Sequence, residues 1–183
     1  MINKITFVAK ILIIFFQLIV FSPAQGEIIK NINIEGNKRV SDQTILMFSN
    51  LELGENFDEN SLNDALKDLY YTNYFKKVEI SVDNQTININ VEENPIIQTV
   101  IIQGVNDNNI YEIIEDVTSK IEKYPFVENK INDQVNLLKN ILKSYGYYFV
   151  ELETSVSSND NNTVDLQYKF NLGEIAKIKK IKF

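Results

Sequence analysis

Ile32-Asn33-Ile34-Glu35-Gly36 returns as Val100-Ile101-Ile102-Gln103-Gly104, with the two glycines 68 residues apart. In both places a short strand pattern runs into a glycine, then into Asn, Ser or Asp residues that read as a turn and a helix cap. Self-similarity at this spacing predicts a chain built from repeated units of about 70 to 80 residues, each large enough to fold alone.

Outward from the two glycines the copies stay parallel. Ser41 or Asp42 caps a brief helix containing Ile45 and Phe48; in the second copy Asp107 or Asn108 precedes Ile110, Ile113, Ile114 and Val117, the spacing of one helical face. A second helix follows in each. Asp58 is its first N-cap, with Phe57 and Leu62 placed for a hydrophobic staple and Leu62, Ala65, Leu66, Leu69 and Tyr70 as the buried stripe. In the second copy Ile131, Val135, Leu138, Leu142 and Tyr145 hold one face, and Gly146 is placed to end the helix in a left-handed cap.

Each second helix leads into an aromatic strand. One is Tyr74-Phe75-Lys76-Lys77-Val78-Glu79-Ile80, extending to Val82; the other is Tyr147-Tyr148-Phe149-Val150-Glu151-Leu152, extending to Val156. Polar turns at Asp83 to Gln85 and Ser157 to Asn162 precede alternating strands through Ile87, Ile89 and Val91 and through Val164, Leu166, Tyr168 and Phe170. The expected fold class is α+β: tandem β-α-α-β-β units, each a three-stranded sheet with two helices covering one face.

Pro95 and Gly173 mark the boundaries, which divides the chain into residues 1–26, 27–94, 95–173 and 174–183. The first segment has Lys4 and Lys10 around an apolar run at 11–21 and small residues at Ser22, Ala24 and Gly26. That is the pattern of a secretory signal cut after Ala24 or Gly26, and the run falls short of the roughly 20 residues that span a bilayer. A retained anchor is the alternative. The last segment starts a third copy, with Ile178, Ile181 and Phe183 in strand phase beside Lys177, Lys179, Lys180 and Lys182. A lone strand without covering helices is not a stable terminus, so the expectation is the front of a longer polypeptide.

Composition excludes whole chemistries. The 183 residues include no His, no Cys and no Trp, which removes imidazole bases, Ser-His and Cys-His couples, disulfides and Cys/His zinc sites. With 18 basic residues against 25 acidic ones the net charge is -7, and no nucleic-acid partner is expected. Glu92-Glu93 and Glu112, Glu115 and Asp116 lack the spacing of a calcium loop and read as solvated charge, so neither a metal nor a cofactor is expected.

The set of motifs resembles the POTRA (polypeptide-transport-associated) domains of the BamA family of outer-membrane protein assembly factors. It is carried by Ile32 to Val40 (INIEGNKRV), Leu66 to Phe75 (LKDLYYTNYF), Val91 to Ile97 (VEENPII), Ser144 to Tyr148 (SYGYY) and Gly173-Glu174 before the third copy. Gly104-Val105-Asn106 departs from the Gly-Asn of the first unit by one residue. The resemblance implies further POTRA units and a membrane β-barrel carboxyl-terminal to this chain, an exported location on the periplasmic face of the outer membrane, and no catalysis. It implies a strand order of first, third, second, which exposes the second strand. Unfolded outer-membrane proteins would then add a strand to that edge, using Tyr74 to Ile80 and Tyr147 to Leu152, while accessory lipoproteins of the assembly complex dock elsewhere. Gly36, Gly104, Pro95, Gly146 and Gly173 would be structural. Alternatives are the POTRA module of a two-partner secretion transporter or of a cell-division scaffold, and a carboxylate-based periplasmic hydrolase, for which no facing pair of acids stands out.

Overall fold

A computed structural model describes residues 27–177; the signal segment and the third-copy positions Ile178 to Phe183 lie outside it. The elements run β1 (Glu27–Ile28), β2 (Asn31–Glu35), α1 (Asp42–Ser49), β3 (Asn56–Phe57), α2 (Glu59–Tyr71), β4 (Phe75–Asp83) and β5 (Thr86–Glu93). Then come β6 (Ile96–Gln103), α3 (Asn108–Thr118) with a 3-10 turn at Ser119–Ile121, α4 (Glu128–Ser144), β7 (Glu151–Asn159) and β8 (Thr163–Asn171).

Alternation decides the sheets. Along β5, Ile87, Ile89 and Val91 are buried, and along β8 so are Val164, Leu166, Tyr168 and Phe170, because these are the central strands under the helices. The order is β2-β5-β4 in the first sheet and β6-β8-β7 in the second, with the outer pairs parallel (β2/β5, β6/β8) and antiparallel (β4/β5, β7/β8). Each sheet has its own apolar core: Ile45, Ala65 and Leu69 meet Phe75, Val78 and the β5 residues in one, and Ile110, Ile114, Leu138 and Leu142 meet β8 in the other. The fold is the α+β arrangement of two β-α-α-β-β units with mixed three-stranded sheets.

The repeated glycines do the same work twice. Gly36 has φ +89°, and a Cβ there would lie 2.0 Å from the Val91 carbonyl oxygen; Gly104 has φ +83°, and a Cβ would lie 1.9 Å from that of Phe170. Only a residue without a side chain lets the end of the first strand turn this close to the end of the third.

Caps follow the polar residues. Ser41 accepts from Thr44 N, Asp107 accepts from Asn109 and Ile110 N, and Asp58 exchanges reciprocal bonds with Ser61, whose amide holds the Asp58 carboxyl below the usual carboxylate range. Phe57 and Leu62 join one core, as a staple requires. Helix α4 ends with Gly146 N donating to Lys143 O and Tyr147 N to Leu142 O, a Schellman closure with Gly146 at φ +94°. Asn84 and Gln85, both at positive φ, close a two-residue hairpin between Asp83 and Thr86.

Three expectations need correction, and one element is new. Tyr147, Tyr148, Phe149 and Val150 precede β7, which begins at Glu151: the Schellman closure draws Tyr147 into the core, and the chain turns again before pairing starts. The second hairpin turns at 160–162, and Ser157 to Asn159 stay in the strand, polar because they are exposed. Tyr70 and Tyr145 leave their helical stripes for the surface, at 42% and 51% exposure. The short β1/β3 ribbon was not anticipated; it is made when Glu27 and Ile28 pair with Phe57 and Asn56.

Candidate strand-docking edges

A three-stranded sheet with the third strand central leaves one backbone edge on each outer strand. On β4 the turn fixes which groups face out. Asp83 and Thr86 close a two-residue hairpin as a hydrogen-bonded pair, so alternation sends the N–H and C=O groups of Val82, Ile80 and Val78 away from β5. On β7 the phase comes from the other side. Ile96 N donates to Asn162 O across the Ile96–Thr163 pairing, so the parallel ladder turns Val164 and every second β8 residue toward β6. Thr163, Asp165, Gln167 and Lys169 therefore bond β7, and Leu152, Thr154, Val156 and Ser158 face outward.

The sequence-selected residues now divide. Phe75 to Ile80 lie on β4; Tyr74 sits just before it, stacked against Phe48 with ring centroids 6.1 Å apart. Phe75 and Val78 are core residues, and Lys76 and Lys77 are exposed and paired with Glu92 at 2.8 Å and Glu79 at 2.6 Å. The hydrogen bond and charge of Glu79 push the Lys77 ammonium pKa up, and those of Lys76 pull the Glu92 carboxyl down. Only Glu151 and Leu152 of the second set lie on β7. Tyr147 and Val150 are core, whereas Tyr148 and Phe149 are exposed at 59% and 79%.

The first-strand edges differ too. Along β6, Ile97 N donates to Tyr124 O, Lys123 N to Ile97 O, and Val100 N to the Glu122 carboxylate, so the segment after the 3-10 turn covers that margin. Strand β2, five residues long, has only β5 as a sheet neighbour among the described residues.

Where β5 meets β6, Glu93 is only 5% exposed, and its Oε1 accepts three backbone bonds, from Lys38, Arg39 and Val40, at 2.8 to 2.9 Å. The Arg39 guanidinium lies with Nε 3.2 Å from Glu93 Oε2, donates to Asn94 O and reaches Asn162 O of the β7–β8 turn at 2.8 Å. Burial pushes the Glu93 carboxyl up, but the Val40, Lys38 and Arg39 amides and the Arg39 charge outweigh it and hold the pKa below the usual range. Glu93 is thus no solvated charge. Its signal was its phase: it continues the buried alternation of Ile87, Ile89 and Val91. Pro95 lies in the same junction and accepts from Phe126 N, while Gly173, at φ +67°, follows β8.

In the second core, burial pushes the Tyr168 phenol up, and its hydroxyl donates to Gln134, which in turn donates to Val117 O. Both groups serve packing within that unit. No helix among the described residues is long and apolar enough to cross a membrane.

Two mixed sheets of order first-third-second, each with paired helices, define a small repeated β-α-α-β-β module. Residues 27–94 match the family model POTRA, "Surface antigen variable number repeat". The chain is 24% identical over 152 residues to the outer membrane protein assembly factor BamA of Neorickettsia risticii, covering 83% of this chain and 20% of that protein. It is also 24% identical over 158 residues to BamA of Neisseria meningitidis serogroup B, covering 85% and 20%. The chain thus spans about a fifth of the length of these curated relatives. The N-terminal domain of Omp85 from Thermosynechococcus elongatus shares the fold, with a TM-score of 0.55 over 80% of this chain and 63% of that one at 14% identity. Residues 27–94 thus match a POTRA domain, and the chain as a whole is similar to part of BamA-type proteins.

Proposed function

We propose that this chain is the periplasmic, non-catalytic part of an outer-membrane β-barrel assembly factor, which receives unfolded outer-membrane proteins by strand addition and docks accessory lipoproteins of the same complex. The likeness to BamA supports the setting. The observation that carries the binding mode is the strand order, which leaves the outward N–H and C=O groups of β4 and β7 without a sheet neighbour among the described residues. Main-chain pairing is indifferent to side-chain identity and suits clients that share β character and no common sequence. Several weak edges in one chain hold a client while each contact releases quickly.

Proline at Ile80, Thr154 and Val156 removes outward N–H groups without cutting the ladder to β5 or β8. Binding of an unfolded β-barrel precursor diluted from urea should weaken while circular dichroism stays unchanged. Equal affinity in the triple variant would contradict strand addition.

A further inference from the structure

The two second-strand edges are built differently. The Tyr70 hydroxyl, projecting from the end of α2, accepts a hydrogen bond from Val78 N at 3.1 Å. Val78 is one of the three β4 positions whose amides face outward, so a side chain of the same unit occupies a site that an added strand would need. The start of β4 is also interrupted by a register shift between Phe75 and Lys77 and carries two lysines, both features that discourage edge pairing. Two outward amides remain, at Ile80 and Val82.

Among the described residues, strand β7 has none of these devices. Its nine residues, ELETSVSSN, pair with β8 without a register shift and contain neither Lys nor Pro. Everything after Leu152 is exposed, and four outward amides, at Leu152, Thr154, Val156 and Ser158, stand in regular alternation. Counted from the buried Leu69 and Leu142 and from the left-handed Asn73 and Gly146, the position of Tyr70 is held in the second unit by Lys143. An ammonium group has no lone pair to accept an amide N–H.

We infer that Tyr70 is a built-in cap on the first unit's edge, and that the chain receives an extended polypeptide at β7. This rests on the strand-addition reading proposed above and assigns it to one edge. The incoming segment is β-prone, with apolar residues at alternate positions that continue the helix-side surface of Leu152 and Val156, the latter 43% exposed. Polar residues on its other side would lie beside Glu153 and Ser155. The cap makes the edge of β4 a second site, open only when Tyr70 swings away.

The test is amide NMR on the described chain and its Tyr70→Phe variant, which keeps the ring and loses the hydroxyl. The probe is a nine-residue peptide of alternating Thr and Val, matched to the length of β7, with a lysine added at each end. Without peptide, the Val78 amide should exchange about fivefold faster in the variant. With peptide, wild-type shifts should centre on Leu152 to Ser158, and the variant should add shifts at Val78 to Val82. Equal responses of β4 and β7 in the wild type, a response centred on β2, unaltered Val78 exchange, or a β4 that stays silent once uncapped would each overturn the assignment. No response at any edge in either protein would sink strand addition itself, and the assignment with it, whereas faster Val78 exchange would still report the cap.

Discussion

The two units share a skeleton and differ in which margin they leave open. Among the described residues, β2 of the first unit is free and β4 is bulged, lysine-bearing and touched by Tyr70, whereas in the second β6 is covered by Glu122 to Pro125 and β7 is unobstructed. They also differ at the end of the central strand. Val91 and Phe170 hold equivalent places against Gly36 and Gly104, so Glu93 and Leu172, two residues on, are counterparts: a buried carboxylate in one unit and a half-buried apolar residue in the other. The lesson is that one backbone plan tolerates opposite solutions wherever the chain leaves the helix-covered core.

The largest expected effect breaks this symmetry at Glu93. Glu93→Ala strands three amides and the Arg39 guanidinium, and should lower the first unit's stability to urea by about 4 kcal/mol, whereas Leu172→Ala should cost the second unit about 1.5 kcal/mol. Equal losses would mean that the carboxylate is no more than filler. Next come the glycines, where the units should agree. Gly36→Ala and Gly104→Ala should each cost about 3 kcal/mol in their own unit, through backbone strain and the collision with a carbonyl, read from the urea dependence of amide NMR signals assigned to that unit.

Acid sharpens the contrast further. The Glu93 pKa is lowered on folding, so its contribution is complete above the ordinary value of 4.5 and is lost as pH falls through the lowered folded value. The first unit should therefore lose stability on acidification below 4.5, and Glu93→Gln should flatten that loss, leaving what Asp58 and Glu92, also lowered, contribute. A pH profile identical in wild type and Glu93→Gln would count against the charged nest. The smallest effect is Tyr70→Phe, about 1 kcal/mol or less in the first unit; a loss as large as that of Glu93→Ala would make Tyr70 a core residue.

Where periodicity and backbone chemistry act alone, the sequence was sufficient. The β5 and β8 alternation, the Asp58 cap and the glycines before each first helix are local signals with one structural meaning, and the structure chooses Asp107 over Asn108 as the second-unit cap. Tyr70 defeated that logic because a tyrosine at the margin of a helical stripe has an apolar ring and a polar tip, and its hydroxyl found an amide eight residues along the chain. Tyr147 to Val150 read as strand because aromatic runs favour strands, yet the left-handed Gly146 closure spent those residues on turning and core filling. Glu93 was hidden by its neighbour: Glu92 is solvent-facing, and only the two-residue period separates their fates.

Because the chain has no cysteine, a single one can be placed at will. Ser155→Cys on β7, Ser81→Cys on β4 and Asn33→Cys on β2 put a thiol on the solvent face of each candidate edge strand. Oxidative cross-linking to an unfolded outer-membrane protein bearing cysteines at alternate positions should be strongest from Ser155→Cys and should favour one phase of the client's alternation. Equal yields from all three positions, or no dependence on client phase, would contradict docking of an extended strand on β7.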